Sequence, residues 1–376
     1  MAKKRGNGEG GITRHKKSGL YMARYTVQMA TGTKRKALYG KTRGEVSEKL
    51  TKAMANRDGG LVFDADNLKV EEYMARWLAD SVLDTVRRST FARYEQITRL
   101  HIIPAFGRTK LKNLSPAHVR GLYREKLDAG LAARTVQYIH ATLHKALKQA
   151  VADGLIPRNV TEAVKAPRPV KKEIRPLNAE QARTLLDTAR GDRLEALYVV
   201  AVTAGMREGE LLGLKWEDLD LDAGKLAVRR SLSITRDGPA YELPKNGKGR
   251  SIKLTARAVE VLKRHKATQN EERLSMGTLW QDHGLIFPGH VGRPMRAWSL
   301  TGGPFLRLLK RAGLPEKTRF HDLRHTCATL LLGKSVHPKI VQELLGHATI
   351  SITLDTYSHV LPGMGDQAAD VMDEAL

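Results

Sequence analysis

The chain has 376 residues, 41% of them hydrophobic, which is enough for two or three domains with cores of their own. It carries 64 Lys and Arg against 40 Asp and Glu, a net charge of +24. That excess implies a polyanionic partner, nucleic acid before a membrane surface, because basic grooves bind phosphates with release of counterions. No apolar run approaches the roughly 18 to 20 residues that span a bilayer, and MAKKRGNGEGG at the start lacks the apolar centre of a signal peptide.

Residues 1–58 hold fifteen Lys or Arg and only four Asp or Glu, almost half the net charge in under a sixth of the length. Leu20 to Met29 has β-branched and aromatic residues in partial alternation, Thr31-Gly32-Thr33 reads as a turn, Lys34 to Tyr39 as a return strand, and Ile12 to Lys17 as an earlier edge strand. Thr42 then caps a helix from Arg43 to Arg57, with Glu45 three residues on as its capping-box partner. Residues 1–60 are therefore expected to form a three-stranded sheet backed by a helix, with Arg14, Lys16, Lys17, Arg24, Lys34 and Lys36 as its candidate DNA contacts. A basic tail that only adds nonspecific affinity is the plainer alternative.

Gly59-Gly60 begins a linker, and residues 61–165 read as a bundle of four helices. Val70, Met74, Trp77 and Leu78 follow helical spacing; Ser89-Thr90 opens a second helix that should end before Pro104 and Gly107; Ser115-Pro116 opens a third, closed by Gly130; Thr135 to Ala152 is the fourth, closed at Gly154. Arg88, Arg93 and Arg99 on or near the second helix, and His140, His144, Lys145 and Lys148 on the fourth, suggest one side turned to DNA, although charged helical faces are usually only solvated. Residues 166–177, with APRPVKKEIRP, read as an extended, basic interdomain linker.

Asn178, with Gln181 three residues on, caps the first helix of a last domain, 178–376. Leu194 to Val202 is an apolar helical run that gives way at Ala204 and Gly205, and Arg207 with Glu210 opens the next helix. Lys225 to Thr235 and LPKNGKGRSIKL, Leu243 to Leu254, suggest a small antiparallel sheet with a hairpin at Lys245. Thr255 to Glu272 and Phe305 to Leu309 return to helix. The fold class expected of the whole is multidomain and mainly α, with small β-sheets.

The stretch from His321 to Val360 carries the chemistry. His321 and Arg324 share one face of a helix that stops at Gly333. Pro338 suits the first turn of a second helix, Ile340, Val341, Leu344 and Leu345 give it an apolar side, and Gly346 ends it, fixing His347 just past the cap. Ser351 or Thr353 caps a third helix with Tyr357 in its last turn and Leu354 and Val360 as anchors. A phenol with a reference pKa near 10 is a weak nucleophile, so attack on a phosphodiester needs a proton acceptor and strong stabilisation of phosphoryl charge. Guanidinium forks supply the second, and Arg207 provides a partner for Arg324. HDLRH also places histidines four apart, a spacing that suits a metal, but no carboxylate or cysteine set completes it. The one cysteine, Cys327, excludes an internal disulfide, suits a reducing cytoplasm, and its helical setting points to burial.

Arg207, then HDLRH, then LLGH with His347, then Tyr357 resembles the tyrosine recombinases, specifically phage and mobile-element integrases. The resemblance implies that Arg207 and Arg324 bind the scissile phosphate, that His321 and His347 hydrogen-bond and manage protons, that Tyr357 forms a 3′-phosphotyrosyl link, and that Glu210 orients the first arginine. It also implies a lysine between the arginine boxes as general acid for the 5′-oxygen: Lys245, five residues before Arg250, with Lys248 on the same glycine-flanked loop as second candidate. With every position filled, the resemblance implies an active, cytoplasmic, bacterial-host, nucleoid-associated enzyme that needs neither metal nor cofactor. Its partners would be double-stranded DNA at core-type and arm-type sites, three further copies in a homotetramer on DNA, and a host bending or directionality factor; no membrane is involved. Residues 1–60 resemble the arm-type DNA-binding domains of some phage integrases, 61–165 the core-binding domain, and the acidic segment Gln367 to Leu376 is expected to dock on a neighbouring subunit. A type IB topoisomerase-like enzyme and a catalytically silent DNA-binding regulator are the two rival readings.

Overall fold

The N-terminal sheet runs β1 (Ile12–Arg14), β2 (Tyr21–Met29), β3 (Gly32–Gly40) in that spatial order, all antiparallel. The structure is a computed structural model that describes residues 11–15, 18–29, 32–58, 67–170, 174–235, 238–357 and 372–376. The chain divides into two units, 1–171 and 172–376. Met29 pairs with Gly32, so β2 and β3 are joined by two residues, and Gly32 and Thr33, expected in the turn, belong to the strand. Helix α1 (Arg43–Asp58) starts as its sequence predicts: Thr42 Oγ1 accepts from Glu45 N at 3.2 Å. The Glu45 carboxylate reaches one residue further back than a capping box would, to Lys41 N at 2.8 Å. Ala23, Val46 and Leu50 are the buried centre of this small layer, with Ile12, Tyr21, Tyr25, Leu38 and Met54 around them. Lys16, Lys17, Thr31 and Gly59-Gly60 lie outside the described residues.

The helical bundle comprises α2 (Val70–Arg76), α3 (Arg88–Ile97), α4 (Ile103–Phe106), α5 (Pro116–Asp128) and α6 (Ala133–Ala152). Wide π-helical turns at Trp77–Val82 and Thr98–Ile102 extend α2 and α3. The second helix therefore does not stop before Pro104. The proline sits in the first turn of α4, where its missing N–H breaks no helical hydrogen bond. Val70, Met74, Ile102, Val119, Ile139, Leu143 and Leu147 fill the centre. His140 and His144 do not belong to an outer basic face. They tie the bundle together, His140 Nδ1 to Tyr123 Oη at 2.7 Å and His144 Nδ1 to Thr161 Oγ1 at 2.9 Å.

Beyond the extended linker, helices α7 (Ala179–Thr188), α8 (Glu195–Ala204) and α9 (Glu208–Leu212) lead into β4 (Leu219–Asp220), β5 (Lys225–Val228), β6 (Ser231–Thr235), β7 (Gly238–Glu242) and β8 (Arg250–Lys253). The capping box at Asn178 is present in both directions. Nearly every side chain of α8 is buried, as its all-round apolarity requires, and it forms the spine of the core with Leu211, Val228, Ile252, Leu262, Phe287, Phe305 and Leu323. The strands make two sheets where one was expected: β4-β5-β8, and a separate β6-β7 ribbon. Leu243–Gly249 is correspondingly not a hairpin but a loop that carries the chain from the ribbon to β8, turning where Gly247 N donates to Pro244 O at 2.8 Å. Pro244 has no N–H to give a ladder, and Gly247 adopts φ +73. Helices α10 (Ala256–Met276), α11 (Ala297–Thr301), α12 (Pro304–Arg311), α13 (Asp322–Leu332), α14 (Pro338–Leu345) and α15 (Ile350–Tyr357) complete the unit.

Candidate active site

Helix α8 ends at Gly205, which adopts φ +57 and caps it in the left-handed region. A Cβ there would lie 2.6 Å from Leu345 Cδ2 and 3.0 Å from Cys327 Sγ, so glycine is what lets α13 and α14 close on the end of α8. The chain then turns so that Arg207 occupies the N-cap of α9, with Glu210 one turn in. Glu210 is fully buried. Its Oε1 accepts from Arg207 Nη1 at 2.8 Å, and its Oε2 accepts from Arg207 N at 3.1 Å and from Arg250 Nη2 at 2.7 Å.

All three guanidinium groups of the cluster also donate to main-chain oxygens. Arg207 Nη2 reaches Gly346 O at 3.0 Å, Arg250 Nε reaches Leu344 O at 2.8 Å, and Arg324 Nη1 reaches Gly205 O at 2.8 Å. Arg324 is 3% exposed, and its Nη2, like Arg250 Nη1, has no hydrogen-bond partner among the described residues. Gly346, at φ +66, ends α14, and a Cβ added to it would meet Arg250 Nη1 at 3.0 Å. Gly346→Ala combines that contact with left-handed backbone strain of roughly 1–2 kcal/mol, expected to lower the melting temperature by about 2–8 °C for a unit of this size. Melting within one degree of wild type would contradict the crowding.

His321 caps α13, with His325 one turn on and their rings edge to face at 5.2 Å. His325 Nδ1 lies 2.7 Å from Tyr357 Oη, at the end of α15. The phenol is 2% exposed and packs with Ala328, Leu332, Val341 and Leu345. His347 is held by Thr353, whose Oγ1 lies 2.8 Å from its Nδ1, and by Gln342, which bonds its carbonyl. Thr353 is therefore not a cap but an internal α15 residue that orients the histidine. Leu354 is exposed and does not anchor the helix, Ile340 likewise faces outward from α14, and Val360 lies outside the described residues.

Burial pushes the Tyr357 phenol up to about 12, against the opposing charge of Arg324. Burial, joined by the charges of Arg207 and Arg250, brings Arg324 down to about 10. Burial lowers His321, His325 and His347, the last two to about 4, with neighbouring arginines adding to the effect. For Glu210 burial acts upward, but the Arg250 hydrogen bond and the charges of Arg250 and Arg207 outweigh it and hold the carboxyl below its usual 4.5. The three histidine shifts share one sign. Between the ordinary histidine value of 6.5 and about 4 the unfolded imidazoles bind protons that the folded ones refuse, so stability present above pH 6.5 is lost as pH falls through that window. The melting temperature is expected to be level near neutrality and to decline steadily below pH 6.5; a level profile down to pH 4 would contradict the buried histidines.

Residues 175–363 match the phage integrase family, and residues 69–127 match the phage integrase N-terminal SAM-like domain. An integrase of Streptomyces ambofaciens is 30% identical, over 99% of this chain and 98% of its own. The chain belongs to the phage integrase family, the tyrosine recombinases. A tyrosine recombinase XerC-like protein of Caldanaerobacter subterraneus subsp. tengcongensis is 29% identical over 96% of this chain and 98% of its own. The fold of this recombinase is shared with the Tn1549 transposon integrase solved with a circular intermediate DNA (TM-score 0.66, 23% identity, 81% of this chain and 99% of that one). It is shared too with the lambda integrase tetramer bound to a Holliday junction (TM-score 0.57, 21% identity, 90% and 95%).

Of the recombinase residues singled out in the sequence, Arg207 and Glu210 are bonded to each other, while Arg324, His347 and Tyr357 bond to other partners but lie close enough for Arg207 and Glu210 to act on Arg324, Arg207 and Arg324 on His347, and Arg324 on Tyr357 through their charges; His321 stacks edge-on against His325. Lys245 is exposed on the 243–249 loop and hydrogen-bonds to none of them; its loop is tied to the cluster only where Arg250 begins β8. Sequence reasoning used Arg250 only as a spacing marker and gave His325 no role, although its place four residues after His321, on the same helical face, was a usable signal. Among the candidate DNA contacts, Arg93 lies over the Tyr138 ring at 4.7 Å, Lys145 over Tyr94 at 5.3 Å, Arg99 pairs with Glu95 at 2.9 Å, and Arg14 Nε donates to Gly19 O. Arg24 and Lys148 are exposed, and Lys34, Lys36 and Arg88 lie on β3 and α3. Most of the acidic C-terminal segment lies outside the described residues. No described helix is long and apolar enough to cross a membrane.

Proposed function

We propose that this recombinase cuts and rejoins double-stranded DNA at specific sites through a 3′-phosphotyrosine at Tyr357. The observation that carries the reading is the convergence of Arg207, Arg324, His347 and Tyr357, from four separate stretches of chain, with a buried donor on Arg324 that has no hydrogen-bond partner among the described residues. In the proposed reaction Arg207 and Arg324 grip the non-bridging oxygens of the phosphate. Their charge is placed where phosphoryl charge grows in the transition state. His347, with Nδ1 engaged by Thr353, has Nε2 left for a phosphate oxygen. Lys245, carried by its loop, protonates the departing 5′-oxygen. The phosphotyrosine conserves the phosphoester bond energy, so the partner's 5′-hydroxyl reseals the strand without ATP.

Residues 1–60 are assigned to arm-type sites and 61–165 to the core site, with four copies assembled on a Holliday junction, as the lambda integrase structure records for that protein. Accessory bending or directionality factors and nucleoid association belong to the same reading.

The test uses a pool of nicked duplexes with randomised cores. Loss of the short 5′-hydroxyl fragment after cleavage traps the protein on DNA, and sequencing the trapped strands yields the site. A defined core sequence is expected. Adducts without sequence preference would favour a topoisomerase, and no adduct would leave a DNA-binding regulator.

A further inference from the structure

Resting on the recombinase reading, we propose that His325 is the base that takes the phenolic proton of Tyr357 as its oxygen attacks phosphorus. Three observations carry this. His325 Nδ1 lies 2.7 Å from Tyr357 Oη and is its only hydrogen-bond partner among the described residues. His321 stands edge-on to His325 at 5.2 Å and does not bond the phenol, while His347 Nδ1 is committed to Thr353. Among the described residues no carboxylate bonds the phenol. Asp322, on the same helix, is held by Arg319 at 2.6 Å, and Glu210 lies between Arg207 and Arg250. Burial above all, and then the surrounding His321, Arg319 and Arg324 against Asp322, keep the imidazole neutral, so that it enters the step without a proton on Nδ1.

The step balances. With its own proton on Nε2, His325 accepts the Oη proton at Nδ1, and the freed electron pair forms the Oη–P bond. The P–O5′ bond breaks, and its electron pair stays on O5′, which takes a proton from the acid assigned to Lys245. In resealing, the incoming 5′-hydroxyl gives its proton to the Lys245 amine left neutral by cleavage and forms the new O5′–P bond, the Oη–P bond breaks, and the phenolate recovers its proton from the imidazolium Nδ1–H. The ring is therefore a base in cleavage and an acid in rejoining, as microscopic reversibility requires. His325 is a catalytic residue because it touches the reacting atom.

The duplex recovered from the randomised pool, nicked next to the scissile phosphate, provides the assay: single-turnover formation of covalent adduct, with DNA affinity and melting temperature measured alongside. His325→Gln keeps an acceptor atom but cannot carry the proton, and His325→Ala loses both. Both are expected to cleave about 10²-fold or more slowly at unchanged affinity, the usual scale for a lost general base. Added imidazole should accelerate His325→Ala. A glutamine variant that cleaves within a few-fold of wild type would reduce His325 to a positioning residue and overturn the proposal, as would an alanine variant at wild-type rate. The wild-type pH–rate profile needs no variant: a rate climbing tenfold per unit without a break from about pH 5 to about pH 9 would mean that hydroxide, not a resident base, removes the proton. Failure of wild type to form any adduct would sink the recombinase reading; an adduct that forms equally well without His325 sinks this inference alone.

Discussion

Tyr357→Phe is expected to bind the core duplex as wild type does and to form no covalent adduct. The substitution deletes one oxygen and leaves the ring among Ala328, Leu332, Val341 and Leu345, so the packing that orders α13 to α15 is retained. Only the bond to His325 is lost, and the nitrogen it frees belongs to an imidazole that burial keeps neutral. Cleavage should drop by at least about 10⁴-fold, the scale on which an enzyme loses the nucleophile of an interdependent set. Adduct formation on the nicked duplex, read by a denaturing gel, checks the loss, and a mobility-shift assay checks binding. A phenylalanine variant that still becomes attached to DNA would move the nucleophile elsewhere.

The second large effect is expected at Glu210, and it appears first as instability. Among the described residues this carboxylate is the one that pairs with Arg207 and Arg250 beside Arg324, and its side chain has no surface exposed to water. Glu210→Ala leaves three cations facing one another across a cavity. Removing one partner of a buried ion pair costs about 3–5 kcal/mol, much of it the penalty of the charge left behind. For a unit of this length that is a fall of roughly 6–20 °C in melting temperature. Glu210→Gln keeps the volume but turns an amide donor toward one arginine, and should fall between alanine and wild type. Because Arg207 also loses its anchor, cleavage should drop in any variant that remains folded at the assay temperature. An alanine variant melting within two degrees of wild type would mean that the arginines are held by something other than this carboxylate.

How much of this was legible in the sequence depends on range. Local signals carried through: Thr42, Ser115, Asn178 and Thr255 cap the helices they precede, and Gly205 and Gly346 end theirs in the left-handed region. Errors came where tertiary packing overrides a local rule. Pro104 looked like a stop, but a π-helical turn ahead of it lets the chain continue. Thr353 looked like a cap, yet its hydroxyl serves His347 from inside α15. Lys225 to Leu254 looked like one sheet because strand propensity does not say which strand pairs with which, and β5 passes over the β6-β7 ribbon to find β8. The candidate residues Arg207, Glu210, Arg324, His347 and Tyr357 could be picked out as a set because their types and order suit phosphoryl chemistry, whereas where they sit relative to one another could not. The bond of Arg250 to Leu344 could not be read, since it is made across 94 residues of chain, and for His325 the helical face was readable but not its partner, 32 residues away.

The mooring of the arginines on Gly346, Leu344 and Gly205 has a consequence for how such a protein diversifies. Each mooring point is a peptide oxygen, which every amino acid supplies, so the acceptors depend on the backbone path, fixed at Gly205 and Gly346 by glycine, and not on the chemistry of a side chain. The surfaces away from these helix ends can therefore change while the three guanidinium groups stay where they are, so a change of target sequence does not require the arginine cluster to be rebuilt.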